Sequence, residues 1–140
     1  MKKFAFCVPL VLIAGCVTLP QQQKVSVQFI GKDTYTLPKA QQATVTLYAV
    51  ERFMQDKSAT IIQQKNIEIS KVPFTVDFVI PTNHKNLIQP PVNSNAEINY
   101  YVALKTDSKQ STEKNKIAID FDKKFPYVML NGGIQQVYLR

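Results

Sequence analysis

The stretch Val72-Pro-Phe-Thr-Val-Asp-Phe-Val-Ile-Pro81 shows most clearly how this chain folds. Between its two prolines, apolar side chains occupy every second position from Phe74 to Ile80. Because successive side chains of a β-strand point to opposite faces, this spacing places the apolar set on one face. Proline lacks an amide donor and is tolerated best at the ends of strands. The stretch therefore predicts a half-buried β-strand.

The same alternation of apolar and polar residues recurs through most of the chain, while no long stretch repeats at helical spacing. We therefore predict an all-β fold, a single antiparallel β-sandwich of about eight strands. The alternating segments are 25–29, 45–49, 74–80, 98–104 and 117–121, and the other predicted strands are 59–69, 127–130 and 134–139.

Two kinds of connection are predicted between these strands. Asn131-Gly132-Gly133 separates the last two, and because Asn-Gly readily adopts positive φ, we expect a hairpin turn there. Segment 106–116 is polar throughout and is predicted to be a mobile loop, whereas segment 82–95 has room for a helical turn.

The N-terminus has the pattern of a lipoprotein leader. Lys2 and Lys3 precede ten largely apolar residues, too few for the ~20 that a membrane-spanning helix requires. The sequence Ile13-Ala-Gly-Cys16 then matches the lipobox, in which the cysteine thiol receives a diacylglycerol. An ordinary signal peptide cleaved elsewhere, with Cys16 incidental, is the alternative.

The lipobox predicts how the chain is organised. Residues 1–15 would be a signal peptide, 16–23 the lipidated Cys16 with a short tether, and 24–140 the β-sandwich domain. Multiple acyl chains give stable attachment where one chain gives only reversible binding. Val17 occupies the position where Asp would retain a lipoprotein in the inner membrane, so we expect the periplasmic face of the outer membrane.

Composition narrows the possible partners and chemistry. The net charge is +7, falling to +5 without the leader, and the lysines are scattered rather than clustered, so nucleic acid is not an expected partner. We predict no metal, no cofactor and no catalytic residue. His84 is the only histidine and reads as a surface-loop residue. Asp120 and Asp122, two apart, are interpreted as a solvent-facing strand edge rather than an acid pair.

Tyrosines are the candidate partner-binding residues. Tyr100 and Tyr101 are adjacent on one predicted strand, so one should pack inward and the other should be exposed. We predict that Tyr101, with Tyr48 and Tyr138, lines a partner groove, although single exposed tyrosines are common.

The order of several segments resembles the YbaY/YscW family of bacterial lipoproteins over nearly the whole mature chain, and the Val72–Pro81 stretch is the most specific part. The others are Thr36–Ala40, Ala43–Val50, Ile88–Pro90, Asn99–Leu104, Asp120–Asp122, Phe125–Val128, Gly132-Gly133 and Val137–Leu139. This resemblance implies a compact β-sandwich on a lipid anchor. Some members look like pilotins, which bind the C-terminal tail of a secretin and carry it to the outer membrane. The chain differs in its long 106–116 loop and in lacking the extra cysteine pair of some relatives.

Three functions follow as hypotheses. The first is a non-catalytic, lipid-anchored outer-membrane lipoprotein that binds an envelope partner, with a secretin tail as the most concrete candidate. The alternative is an envelope-maintenance or stress lipoprotein with no dedicated protein cargo. An anchored hydrolase is disfavoured, because the chain has one histidine and no Gly-x-Ser-x-Gly motif.

Overall fold

The computed structural model describes residues 22–52, 58–93, 95–107, 116–131 and 133–140. The predicted leader, the Cys16 site and most of the 106–116 loop lie outside the described residues, as does Gly132 of the predicted hairpin turn. Within the described ranges, no helix has the length and apolar character needed to cross a bilayer.

The described residues form two sheets that pack face to face. One sheet has the strand order β4-β1-β7 and the other has the order β3-β2-β5-β6. The prediction of an all-β sandwich is therefore confirmed. The elements are β1 (Gln22–Ile30), β2 (Tyr35–Glu51), β3 (Thr60–Val72), β4 (Phe74–Pro81), a 3-10 helix (His84–Leu87), β5 (Ile98–Thr106), β6 (Tyr127–Val128) and β7 (Ile134–Tyr138).

The core lies between the inner faces of the sheets, where the predicted alternation holds. Phe78 of β4, Phe29 of β1 and Leu47 of β2 are fully buried, and their immediate neighbours along each strand are more exposed. Burying one such side chain contributes roughly 1.5–3 kcal/mol relative to leaving it exposed. The hydrophobic effect on these period-two sets thus holds the sheets together.

The hairpin predicted near the C-terminus is wrong. The strands flanking Asn131 do not form a hairpin, because β6 pairs with β5 while β7 pairs with β1 in the other sheet. The β1–β7 pairing is also parallel, so the sandwich is not wholly antiparallel. Here Asn131 Oδ1 accepts the Gly133 N–H at 3.0 Å, turning the chain as it crosses between the sheets.

The predicted strand at 117–121 is reduced to an isolated bridge between Ile119 and Leu139. Ile117 and Ile119 are buried as the alternation predicts. Asp120 Oδ1 then accepts the Lys123 N–H at 3.1 Å, and the chain turns. Side-chain bonds of this kind compete with strand pairing, which explains why the strand ends there.

Side chains of β3 cover the free edge of β4. Gln63 and Lys65 project toward the other sheet, where Gln63 Oε1 accepts the Val79 N–H at 3.0 Å and Lys65 Nζ donates to the Asp77 carbonyl. Unpaired strand edges invite association with other chains. These bonds satisfy two of the β4 backbone groups that face away from β1.

Candidate functional site

A row of apolar side chains crosses the outer face of the four-stranded sheet. Tyr48 of β2 lies opposite Ile61 of β3 on one side and Tyr101 of β5 on the other, and Tyr101 lies opposite Tyr127 of β6. Because Leu47 beside Tyr48 points into the core, this register sends the four side chains outward. We call Ile61, Tyr48, Tyr101 and Tyr127 the apolar row.

The rings of the apolar row contact one another. Tyr48 and Tyr101 stack with centroids 5.1 Å apart and 20° between their planes. Stacked rings present their edges and hydroxyls to solvent rather than their faces. Aromatic pairs of this kind contribute about 0.5–1.5 kcal/mol beyond the area they bury, which stabilises the Tyr48–Tyr101 part of the row.

Two phenylalanines extend the row at the β6 end. Phe125 packs edge-on against Tyr101, with centroids 5.4 Å apart, and lies 4.5 Å from the Tyr127 ring. Phe121 lies 6.0 Å from Phe125. Tyr127 is 52% exposed and Phe125 is 41% exposed, so the surface that these rings form faces solvent.

The Tyr101 hydroxyl remains protonated at neutral pH. Burial raises the pKa of Tyr101, and the neighbouring hydroxyls of Tyr48 and Tyr127 raise it further. A protonated phenol both donates and accepts a hydrogen bond. The surface therefore combines an apolar body with polar tips, the combination that makes tyrosine common at binding interfaces.

A cleft of about 450 Å³ opens beside Tyr127. Arg52 stands at its edge, where its side chain pairs with Glu97 at 2.7 Å and its N–H donates to the Glu97 carbonyl at 2.8 Å. Met129, in the cleft wall, is 63% exposed. The other lining residues are Ile98, Asn99, Tyr100, Val128 and Leu130. The cleft thus borders the row at Tyr127 and is lined by both polar and apolar side chains.

The outer face of the three-stranded sheet is polar by comparison. Ser26 donates to Asp77 at 2.6 Å, and Lys24 lies 3.6 Å from the same carboxylate. The Ser26 hydrogen bond, followed by the charges of Lys24 and Lys65, lowers the pKa of Asp77 against the opposing effect of burial. This face therefore carries hydrogen-bonded polar side chains of β1 and β4 beside the exposed Ile134 of β7.

The structure brings together two of the three tyrosines predicted to line a groove. Tyr48 and Tyr101 stack, although both are half-buried rather than fully exposed. Tyr138 lies on β7 in the other sheet, beneath Lys123 Nζ at 4.4 Å. Sequence reasoning missed Tyr127 and Ile61, because their place in the row depends on the register between strands.

His84 is buried, so its prediction as a surface-loop residue is wrong. It is 5% exposed, with Nδ1 3.0 Å from the Pro81 carbonyl and Nε2 2.5 Å from the Tyr100 hydroxyl. A carbonyl only accepts, so Nδ1 carries the proton and Nε2 accepts from Tyr100. Burial raises the pKa of Tyr100. Tyr100 is the inward-packing member of the adjacent pair, and His84 ties the 3-10 helix to β5.

Asp120 and Asp122 do not lie on a solvent-facing strand edge as predicted. Asp120 is used within a turn, and Asp122 lies in that turn rather than on a strand edge. Among the residues that the structure describes, no three His, Cys, Asp or Glu side chains come together in a group suited to a metal ion.

Together these features define a two-sheet β-sandwich with a row of aromatic side chains on the outer face of its four-stranded sheet. No protein-family model matches the chain, and no curated protein matches its sequence. A solved structure of similar fold is an alternative pilotin from the type II secretion system of Vibrio cholerae. It has a TM-score of 0.53 and 16% sequence identity, and the match covers 85% of this chain and 96% of the pilotin chain. The chain therefore has a pilotin-like fold.

Proposed function

We propose that this protein is a non-catalytic lipoprotein, anchored by lipid at Cys16, that binds an apolar segment of an envelope partner on the apolar row. The observation that carries the proposal is the row itself, four outward side chains in register across four strands. Its exposed members, Ile61 and Tyr127, are each more than half exposed. Soluble proteins seldom leave a contiguous apolar surface uncovered unless something binds it.

The partner that we propose is the C-terminal tail of a secretin, which would make the protein a pilotin of the outer membrane's periplasmic face. Two observations support this role. The fold is similar to that of a type II secretion pilotin. The segments around Val72–Pro81 and Asn99–Leu104 resemble the YbaY/YscW lipoproteins, to which we propose that the chain belongs.

The chemistry of the row fits recognition of a peptide better than recognition of a sugar. Sugars are bound by flat aromatic faces turned to solvent, but the Tyr48 and Tyr101 rings turn their faces to each other. Ring edges and hydroxyls suit the mixed surface of a polypeptide, in which apolar side chains alternate with backbone carbonyls.

Co-purification from detergent-solubilised envelope tests the proposal. The wild-type protein should recover the secretin, and the Phe125→Ser/Tyr127→Ser variant should lose most of it. Ile134→Ser is the matched control, because Ile134 is 70% exposed but lies on β7 in the other sheet. Cys16→Ser should change localisation and leave recovery intact. Equal recovery by the control and the row variant would contradict the proposal.

A further inference from the structure

The apolar row is complementary to itself. Its middle members, Tyr48 and Tyr101, lie on the neighbouring strands β2 and β5, and its end members, Ile61 and Tyr127, lie on β3 and β6. A second copy turned by 180° about an axis between β2 and β5, parallel to the strands, would bring Tyr48 of one copy against Tyr101 of the other. The same rotation brings Ile61 against Tyr127. Each large side chain of the row thus meets another.

An exposed ion pair lies beyond the row on the same face. Arg52 directly follows β2 and Glu97 directly precedes β5, and their side chains pair at 2.7 Å. Arg52 is four residues from Tyr48, and Glu97 is four residues from Tyr101. Four residues along a strand return to the same face at a distance of about 13 Å. Because both side chains are exposed, the pair contributes little to folding stability.

The rotation that matches the row also matches the ion pair. Arg52 and Glu97 lie on the two strands that the axis relates, so Arg52 of one copy would face Glu97 of the other, and the reverse. The four side chains would then alternate in sign around a ring. A two-fold axis along the row would instead place Glu97 opposite Lys105 of the second copy, and Arg52 opposite the uncharged Thr44. The axis parallel to the strands therefore matches both charges of the pair.

We propose that, without a bound partner, two copies of this protein associate through the outer faces of their four-stranded sheets, about a two-fold axis parallel to the strands. The apolar rows pack on each other, and the two ion pairs form the ring of four charges. Four strands and nine residues, from Thr44 to Arg52, span a face of about 19 by 30 Å, so each copy would bury roughly 600 Å². Specific interfaces begin at about 1,200 Å² in total, so we expect weak and reversible association.

The dimer would regulate access to the apolar row. A second copy and an envelope partner would cover the same side chains, so binding of the partner must displace the second copy. The dimer would thus keep the exposed Ile61 and Tyr127 covered until a partner is present. This exclusion rests on the proposed function, whereas the dimer itself rests on the row and on the Arg52–Glu97 pair.

Sedimentation equilibrium of the full mature protein in density-matched detergent tests the dimer. The wild type should show a reversible monomer–dimer equilibrium with a Kd in roughly the micromolar range or weaker. Arg52→Glu makes all four charges of the ring negative, so it should weaken the dimer by roughly tenfold or more. Lys39→Glu makes the same change of charge at an exposed position nearer the start of β2, and is the matched control. A wild type that stays monomeric, or two variants that dimerise equally well, would overturn the proposal.

A charge exchange tests the direction of the axis. The double variant Arg52→Glu/Glu97→Arg keeps an ion pair within each chain and restores the alternation of charges about the proposed axis. Its dimer should therefore recover to within about threefold of the wild-type Kd. About an axis along the row, the Glu97→Arg change would face Lys105 of the second copy and repel it. A double variant that dimerises as weakly as Arg52→Glu would overturn the proposed axis.

A peptide of the secretin tail separates this proposal from the proposed function. Added to the wild-type dimer, the peptide should shift the equilibrium to monomers, because both compete for the row. A dimer that ignores the peptide would count against the row as the partner site and leave the dimer standing. A monomeric wild type that binds the peptide would overturn the dimer and leave the proposed function standing.

Discussion

His84→Ala should destabilise the domain by about 2–3 kcal/mol. The substitution removes the acceptor of the Tyr100 hydroxyl and the donor to the Pro81 carbonyl. A buried polar group left without a partner costs about 1–3 kcal/mol. Tyr100 is only half-buried, so water can partly reach its hydroxyl. The cost of leaving this hydroxyl without His84 therefore falls at the low end of that range.

Urea denaturation of the mature protein measures this cost, and a double-mutant cycle identifies its source. Tyr100→Phe should cost about 1–2 kcal/mol, because it leaves Nε2 of His84 buried without a donor. The double variant should lose less than the sum of the two, with a coupling of about 1 kcal/mol. Lys85→Ala, an exposed neighbour on the same 3-10 helix, is the control and should change stability by less than about 0.5 kcal/mol.

The result that would refute this reasoning is a His84→Ala variant as stable as the Lys85→Ala control. Such a result is what a surface-loop histidine would give. Additive single variants would also refute it, since they would show that the His84–Tyr100 hydrogen bond is not formed.

Three further outcomes follow from the structure. Phe78→Ala should cost about 3–5 kcal/mol in urea denaturation, since Phe78 is fully buried, whereas Val79→Ala at an exposed position should cost under about 1 kcal/mol. Gln63→Ala leaves the Val79 N–H at the β4 edge without its acceptor, so light scattering should show faster aggregation. Gln63→Asn keeps the amide but shortens the side chain. If it aggregates equally fast at unchanged stability, the cause is that the shorter side chain no longer reaches the β4 edge. Burial raises the pKa of Tyr100, so the stability that its protonated hydroxyl contributes is present below the unfolded pKa of about 10 and is lost as pH rises through the folded pKa. Tyr100→Phe should therefore reduce the loss of unfolding free energy at alkaline pH. A variant that loses stability with pH as steeply as the wild type would contradict this.

The strands themselves were predictable, because each carries its own alternating pattern. The segment from Phe74 to Ile80 is a strand as its spacing predicts, and so are the segments within β1, β2 and β5. The apolar side chains that are buried together lie two residues apart in the sequence, so the sequence alone is enough to locate each strand.

Strand partners were not predictable in the same way. Asn131 and the glycines after it indicate a turn, but the turn does not specify whether the flanking strands pair with each other. The pairing depends instead on strands that are distant in sequence: β7 pairs with the edge of β1, and β6 pairs with the edge of β5. The predicted hairpin therefore failed while both of its strands exist.

The candidate site could not be predicted in full, because it also depends on how distant strands pair. Tyr48 and Tyr101 were predicted as exposed tyrosines, but their stacking and their alignment with Ile61 and Tyr127 follow from pairings between four strands. His84 was misjudged because its neighbours in sequence are polar, whereas its burial comes from packing beside Tyr100.

Calorimetric titration of the secretin tail peptide into the purified protein tests most directly whether the apolar row binds the partner. Tyr127→Ser should weaken binding by roughly tenfold or more, as expected for an aromatic anchor, whereas Ile134→Ser should change it by less than about twofold. A Tyr127→Ser variant that binds the tail as tightly as the wild type would contradict the account.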